Sequence, residues 1–169
     1  MLKIDNADYT IIYDSREQDL FIPQILRKNG IQTIRRKLDT GDYAIQYKDG
    51  FRPPVVIERK ASCDELIGNM LDHRKDTNGN NRFIRELERA KEQDLKVYLL
   101  IQDKDYYLKL ITGEYRSKVN PKAISGMIIS LLAKYPNLHI IAVDKELSPS
   151  MVYKILYYEL RENLKEKIK

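Results

Sequence analysis

Asp42 and Glu58 are carboxylates on two β-forming runs joined by a turn signal, and Lys60 follows Glu58 by two positions. Val55-Val56-Ile57 directly precedes Glu58-Arg59-Lys60, so an apolar, β-branched run delivers an acid and two bases to its own end. Charge at the end of a buried strand is costly unless it pairs or binds a cation, which makes such an end a candidate active site. A hairpin that aligns the two runs brings Asp42 and Glu58 together as a hard-oxygen site suited to Mg²⁺ or Mn²⁺. Such a cation can polarise a phosphodiester and acidify a water. Lys60, on the strand face that carries Glu58, can orient that water and offset developing charge. The same residues have a plainer reading, because an Asp and a Glu-x-Lys in a charged protein usually form surface salt bridges worth about 0 to 1 kcal/mol.

The elements that must position these groups are legible in the chain order. Tyr9–Tyr13 reads as a strand ending in the polar turn Asp14-Ser15-Arg16-Glu17, and residues 18–29 carry apolar side chains at helical spacing up to Asn29-Gly30. Pro23 fits that helix only in its first turn. Ile31–Leu38 and Tyr43–Tyr47 read as strands on either side of Asp39-Thr40-Gly41-Asp42, and Lys48-Asp49-Gly50 marks a hairpin into the Glu58 strand. The simplest arrangement of these three is as antiparallel neighbours. Ser62 and Glu65 form a capping box that starts a helix just after Lys60, and 72–81 is a polar loop. Beyond it come a helix from Arg82 to Asp94 and a strand from Lys96 to Ile101. A helix opened by Asn120-Pro121 follows, then a strand from Leu138 to Val143 and a last helix from Ser148-Pro149. This alternation predicts an α/β fold with a mixed central sheet flanked by helices.

Composition bounds the function more loosely. The 169 residues suffice for one domain, 1–169, and leave little room for a second. Thirty Lys and Arg against twenty-five Asp and Glu give a net charge of +5 and a pI near 9.1, compatible with a polyanionic partner. The single cysteine, Cys63, excludes an internal disulfide and reads as a small hydrophobe in a reducing compartment. Met1-Leu2-Lys3-Ile4-Asp5 lacks the apolar run of a signal peptide and no segment is apolar for about 18 residues, so a cytoplasmic or nuclear protein away from membranes is expected.

Gly41-Asp42, then Glu58-Arg59-Lys60, then Asp64 three residues later resembles the Gly-Asp…Glu-Arg-Lys-x-x-x-Asp signature of the XPF-type structure-specific endonucleases, within the PD-(D/E)XK nuclease group. Asp14-Ser15-Arg16-Glu17 resembles that family's Asp-x-Arg-Glu at the end of the first strand. The resemblance covers roughly residues 9–160. It implies a restriction-endonuclease-like fold and a divalent-metal nuclease that cuts branched DNA such as flaps or forks. It implies Asp42 and Glu58 as metal ligands, Lys60 beside the attacking water, Asp14 and Glu17 as further acids close to the metal with Asp14 a third ligand, and Arg59 and Asp64 as structural or phosphate-orienting groups.

The chain departs from the family's pattern in two places. Where the family has Asp-Gly-Arg with a Gln four residues past the Arg, Asp72 and Arg82 are separated by the polar loop and Glu86 stands at the Gln position. A helix-hairpin-helix domain, which grips DNA in the family, has no counterpart in 1–169, so a second copy or a partner chain is expected to supply that grip. Arg16, Arg74 and Arg82 lie nearest the acids in sequence and, with Arg59, are the expected DNA contacts. Two other functions fit the same residues: a non-catalytic DNA-binding subunit, and a metal-dependent nuclease without branch preference.

Overall fold

A computed structural model describes residues 3–168; Met1 and Leu2, part of the N-terminal stretch considered above, lie outside the described residues, as do Lys169 and the side chain at 168. In chain order the elements are β1 (Tyr9–Tyr13), α1 (Phe21–Lys28), β2 (Thr33–Arg35), β3 (Tyr43–Tyr47), β4 (Val55–Lys60), α2 (Cys63–Leu71), α3 (Arg82–Glu92), β5 (Lys96–Ile101), α4 (Tyr106–Thr112), α5 (Pro121–Lys134), β6 (Leu138–Ala142) and α6 (Ser148–Ile168). The strands are hydrogen-bonded in the order β2-β1-β3-β4-β5-β6, a mixed sheet flanked by helices, as the alternation of elements predicted. Two compact units make up the chain, Met1–Glu58 with Glu146–Lys169, and Arg59–Lys145. Among the described residues no helix is long and apolar enough to cross a membrane.

The first unit corrects one expectation. β2 does not neighbour β3: it pairs in parallel with β1, with Tyr13 opposite Arg35, and β1 in turn pairs antiparallel with β3, with Tyr13 opposite Tyr43. The reason is the intervening helix, since a strand–helix–strand unit returns its second strand parallel to the first. α1 begins at Phe21, so Pro23 sits in its first turn, where a missing N–H costs nothing. Tyr9, Ile11, Tyr43, Ile45 and Ile57 are buried from three adjacent strands, and Val152, Leu156 and Leu160 of α6 repeat at four-residue spacing with no exposure. Tyr157 of the same helix meets the Tyr9 ring edge-on, a packing role, whereas Tyr158 is exposed.

The second unit is built on β5 and β6, parallel neighbours from Val97 opposite Leu138 to Ile101 opposite Ala142. The expected cap of α2 is present: Ser62 Oγ accepts the Glu65 N–H at 3.1 Å, while the Glu65 carboxylate reaches the Ala61 N–H at 2.6 Å. Cys63 is buried, which pushes its thiol up to about 11 and leaves it inert. α4 has no counterpart among the expected elements. It is seven residues long, has no side-chain N-cap, and leaves Tyr107, Leu108 and Ile111 exposed, so it shows no polar and apolar faces to read.

The polar 72–81 stretch is pinned at its end by Asn81. Its Oδ1 accepts the Ile84 N–H to cap α3, while its Nδ2 donates to the carbonyls of Asn69, Met70 and Asp72 that α2 leaves open. Asn81→Ala removes a cap and strands buried carbonyls, so a loss of about 3 kcal/mol is expected in urea unfolding, against about 1 kcal/mol for an ordinary cap. A change no larger than the cap alone would mean that water replaces the amide.

Candidate active site

In the first unit carboxylates stand just after β1 (Asp14), just before β3 (Asp42) and within β4 (Glu58). The β1–β3 register places Asp14 across from Asp42, and the Asp14 N–H donates to the Asp42 carbonyl at 2.8 Å. Tyr43 pairs with Ile57, and Asp42 and Glu58 are the chain neighbours of that pair on β3 and β4. The Asp42 N–H donates to the Ile57 carbonyl at 2.7 Å, which ties the acid to the strand that carries Glu58. Both acids are half-buried, close enough to water to admit a ligand.

Gly41 explains why this junction needs its particular dipeptide. Its φ is +79°, and a Cβ placed on it would lie 2.7 Å from Val56 Cβ and 3.3 Å from the Ile57 carbonyl oxygen. Only a residue without Cβ lets the chain close on β4 at this point, directly before Asp42.

Asp14 is almost fully buried and its two oxygens are already engaged. Arg16 donates to it from its backbone N–H at 2.8 Å and from its guanidinium at 2.7 Å, and the Leu38 N–H points to it at 3.4 Å. Burial disfavours the charged form, but these donors outweigh it and hold the Asp14 carboxyl below the ordinary carboxylate range. Arg16 also donates to the Leu38 carbonyl. To ligate a metal, Asp14 would have to exchange these partners for the cation. Glu17 is buried, accepts the Asp19 N–H at 3.0 Å and receives the Tyr43 hydroxyl at 3.4 Å.

The depressed Asp14 carboxyl carries a prediction about acid. A group whose folded pKa lies below its unfolded value contributes stability that is present above the unfolded pKa, near 3.9, and is lost as pH falls through the folded pKa. Asp14→Asn should therefore lower stability at pH 7 and flatten its decline below about pH 4. Parallel acid unfolding curves for the two proteins would remove Asp14 from that balance.

The second unit holds the other end of β4. Lys60 is buried, its ammonium lies 5.4 Å from the centre of the Phe83 ring, and its carbonyl accepts the Gln102 N–H at 2.8 Å. Arg59 donates from Nη1 to Gln102 Oε1 at 3.0 Å, a packing role as much as a phosphate contact. Asp64 fixes a distant loop: its Oδ1 accepts the Arg116 N–H at 2.7 Å. Arg74 lies in a fork on Asp72, at 2.8 Å, and Arg82 pairs with Glu86 at 3.0 Å; both arginines are exposed. Glu86, at the position where a Gln was the family's pattern, thus serves as the partner of Arg82.

Two buried polar residues have no place among the residues singled out from the sequence, Gln102 and Asp103 at the end of β5. Asp103 accepts the Cys63 N–H at 3.1 Å at the start of α2 and the Lys109 ammonium at 2.7 Å. Burial works against its charge, and Lys109 with the backbone N–H groups of Cys63 and Asp105 overcomes it, so its carboxyl is held below the usual range. The signal is present in the chain: Val97–Ile101 is an apolar run that ends in polar residues, as Val55–Ile57 does.

Among the described residues no three His, Cys, Asp or Glu side chains form a group able to hold a metal by themselves. A Mg²⁺ ion needs no such cage, since it commonly keeps several waters and takes one or two carboxylates together with substrate phosphate oxygens. Asp42 and Glu58, half-buried beside the Tyr43–Ile57 pair, are two carboxylates of the kind such an ion takes.

The mixed six-stranded sheet flanked by helices is a restriction-endonuclease-like fold. The ERCC4 domain matches residues 13–154, and the chain belongs to that family of DNA nucleases. Among solved structures, XPF from Aeropyrum pernix superposes with a TM-score of 0.66 at 18% identity, over 93% of this chain and 69% of that one. The same archaeal protein in complex with DNA gives 0.62 at 18% identity, over 93% of this chain and 66% of that one. The chain thus spans about two thirds of the length of these relatives. No curated protein matches it.

Proposed function

We propose that this chain is a Mg²⁺- or Mn²⁺-dependent DNA endonuclease that hydrolyses phosphodiester bonds, with branched DNA as its preferred substrate. The observation that carries the proposal is the junction of β3 and β4, where Gly41 closes on Val56 and Ile57 and the half-buried Asp42 and Glu58 adjoin the Tyr43–Ile57 pair. Asp42 and Glu58 would hold the cation, which supplies Lewis acidity to the scissile phosphate and lowers the pKa of a bound water. Lys60, buried and steadied by Phe83, orients the attacking water and offsets charge that grows on the phosphoryl oxygens. Asp14 acts by holding the β1 end and Arg16 in place, and Glu17 by anchoring the turn between them. Arg59, Arg74 and Arg82 approach the DNA backbone. A second copy or a partner chain supplies the further grip.

Labelled forks, flaps and linear duplexes incubated with Mg²⁺, Mn²⁺ or chelator test the proposal. Metal-dependent nicks near the junction support it, equal cutting of fork and linear duplex removes the branch preference, and intact substrates in every lane sink it. One observation favours a second reading, a non-catalytic DNA-binding subunit: the Asp14 carboxylate is fully engaged by Arg16 and Leu38. That reading predicts fork binding of equal strength with and without metal, and no nicking.

A further inference from the structure

Directly after β5 in the second unit stand Gln102 and Asp103, two buried polar residues with no part in the chemistry described so far. Three of their contacts fall on the short stretch from Arg59 to Cys63. The Gln102 N–H donates to the Lys60 carbonyl at 2.8 Å, the Gln102 side-chain oxygen accepts from Arg59 Nη1 at 3.0 Å, and Asp103 Oδ2 accepts the Cys63 N–H at 3.1 Å. Lys60 is thus held at the residue before it, at its own carbonyl and at the residue three places on.

Asp103 is itself fixed from its other side. The Asp105 N–H reaches its Oδ1 at 3.2 Å, and the ammonium of Lys109, on α4, donates to its Oδ2 at 2.7 Å. The Asp103 side chain is 8% exposed and that of Lys109 29%, so the pair is largely withdrawn from water and its geometry is not averaged by solvent exchange. α4 leaves Tyr107, Leu108 and Ile111 exposed, yet it brings this counter-charge inward to the end of β5.

A carboxylate at the start of a helix has a plainer use as a cap. α2 already has one, because Ser62 Oγ accepts the Glu65 N–H and the Glu65 carboxylate returns to the Ala61 N–H. A buried ion pair is also weak support for a fold, since apolar side chains of similar volume commonly serve stability as well or better. The charged pair therefore calls for a use besides stability. The group nearest to hand with such a use is Lys60, whose ammonium lies over the Phe83 ring, 5.4 Å from its centre.

We infer that Gln102 and Asp103 are positioning residues for Lys60: they clamp the backbone that carries it, so that its ammonium keeps one place during the cleavage step. Neither residue touches the reacting atoms. Their effect comes through the backbone of Arg59 to Cys63, and a misplacement of about 1 Å at a reacting centre can cost about a hundredfold in rate. The inference rests on the reading of Lys60 as the group at the attacking water and adds the support that holds it there.

Three readings test it: single-turnover cleavage of a fork at saturating protein, fork affinity in Ca²⁺, and the Lys60 Cε–H resonance, assigned by its absence from Lys60→Met. In wild type the Phe83 ring sets that resonance apart from those of the exposed lysines. Asp103→Ala should cut about tenfold to a hundredfold more slowly, bind the fork as wild type does, and move the Lys60 resonance toward the exposed lysines. Asp103→Asn keeps an oxygen for the Cys63 N–H and should recover most of the rate. Val97→Ala, at the other end of β5, should melt at a lower temperature yet keep both the rate and the resonance. Gln102→Ala frees Arg59 but leaves the backbone bond to Lys60, so it should slow cleavage by about threefold to tenfold, and it decides the matter if Asp103→Ala does not fold. A wild type that cuts while these variants match it in rate, or leave the Lys60 resonance in place, overturns the inference and leaves the nuclease reading intact, as does an equal loss of rate in Val97→Ala. A wild type that cuts nothing overturns both.

Discussion

Lys60→Met should lower single-turnover cleavage of a fork by about a hundredfold to a thousandfold while the protein still folds. Lys60 is buried against Phe83, and a thioether of similar length fills that space and packs well against an aromatic ring. A buried lysine kept for structure would give the opposite pattern, with lost stability and retained rate. Glu58→Gln should show a loss of at least about a hundredfold with DNA affinity in Ca²⁺ little changed, because the amide keeps the shape and removes the charge that a cation needs. Measured together, rate, affinity and melting separate a chemical role from a supporting one. A Lys60→Met protein that cuts at the wild-type rate removes this residue from the chemistry.

Gly41→Ala should cost about 3 kcal/mol and most of the activity at once. A non-glycine residue at positive φ carries about 1 to 2 kcal/mol of backbone strain. The added Cβ would also meet Val56 Cβ at 2.7 Å, and overpacking of this kind typically costs about 1 to 3 kcal/mol more. Val56 Cβ is fixed to the β4 backbone, so relief comes from parting β3 and β4, which moves Asp42 away from Glu58. Urea unfolding together with cleavage rate reads both effects. An alanine variant with wild-type stability would show that the strands have slack to yield at this point.

Much of the site is legible in the amino-acid sequence because strand ends are local features. Val55-Val56-Ile57 and Tyr9–Tyr13 announce strands, and the charges that follow them announce where each strand leaves the core. The capping box at Ser62 and the Asn81 and Asn120 caps are likewise encoded within four residues. What the sequence does not announce depends on long-range choices. The place of β2 follows from the crossover through α1, and no property of Ile31–Leu38 tells whether its neighbour is β1 or β3. α4 is hidden because Tyr106 is its one buried residue, which leaves no periodic face.

The charged residues are legible in the sequence, and their partners are not. Asp14 and Arg16 are two positions apart, and only the folded turn reveals that they close on each other and on Leu38. Arg74 and Arg82 keep their exposure but are paired with Asp72 and Glu86, so each contact with DNA must compete with a neighbour already in place. Gln102 and Asp103 repeat the pattern of an apolar run ending in polar residues, so every buried strand end, not only the most charged one, is a place to look for function.

Metal-dependent hydrolysis at Asp42 and Glu58 is tested most directly by single-turnover cleavage of an end-labelled fork by wild type and Asp42→Asn, each with Mg²⁺, with Mn²⁺ and with chelator. Asn keeps both backbone hydrogen bonds of this position, to the Ile57 carbonyl and from the Asp14 N–H, so folding is preserved. The expected result is nicking by wild type only with metal, and at least about a hundredfold slower nicking by Asp42→Asn under every condition. Cleavage by Asp42→Asn at the wild-type rate, or cleavage by wild type that persists in chelator, would contradict a metal site at these two acids.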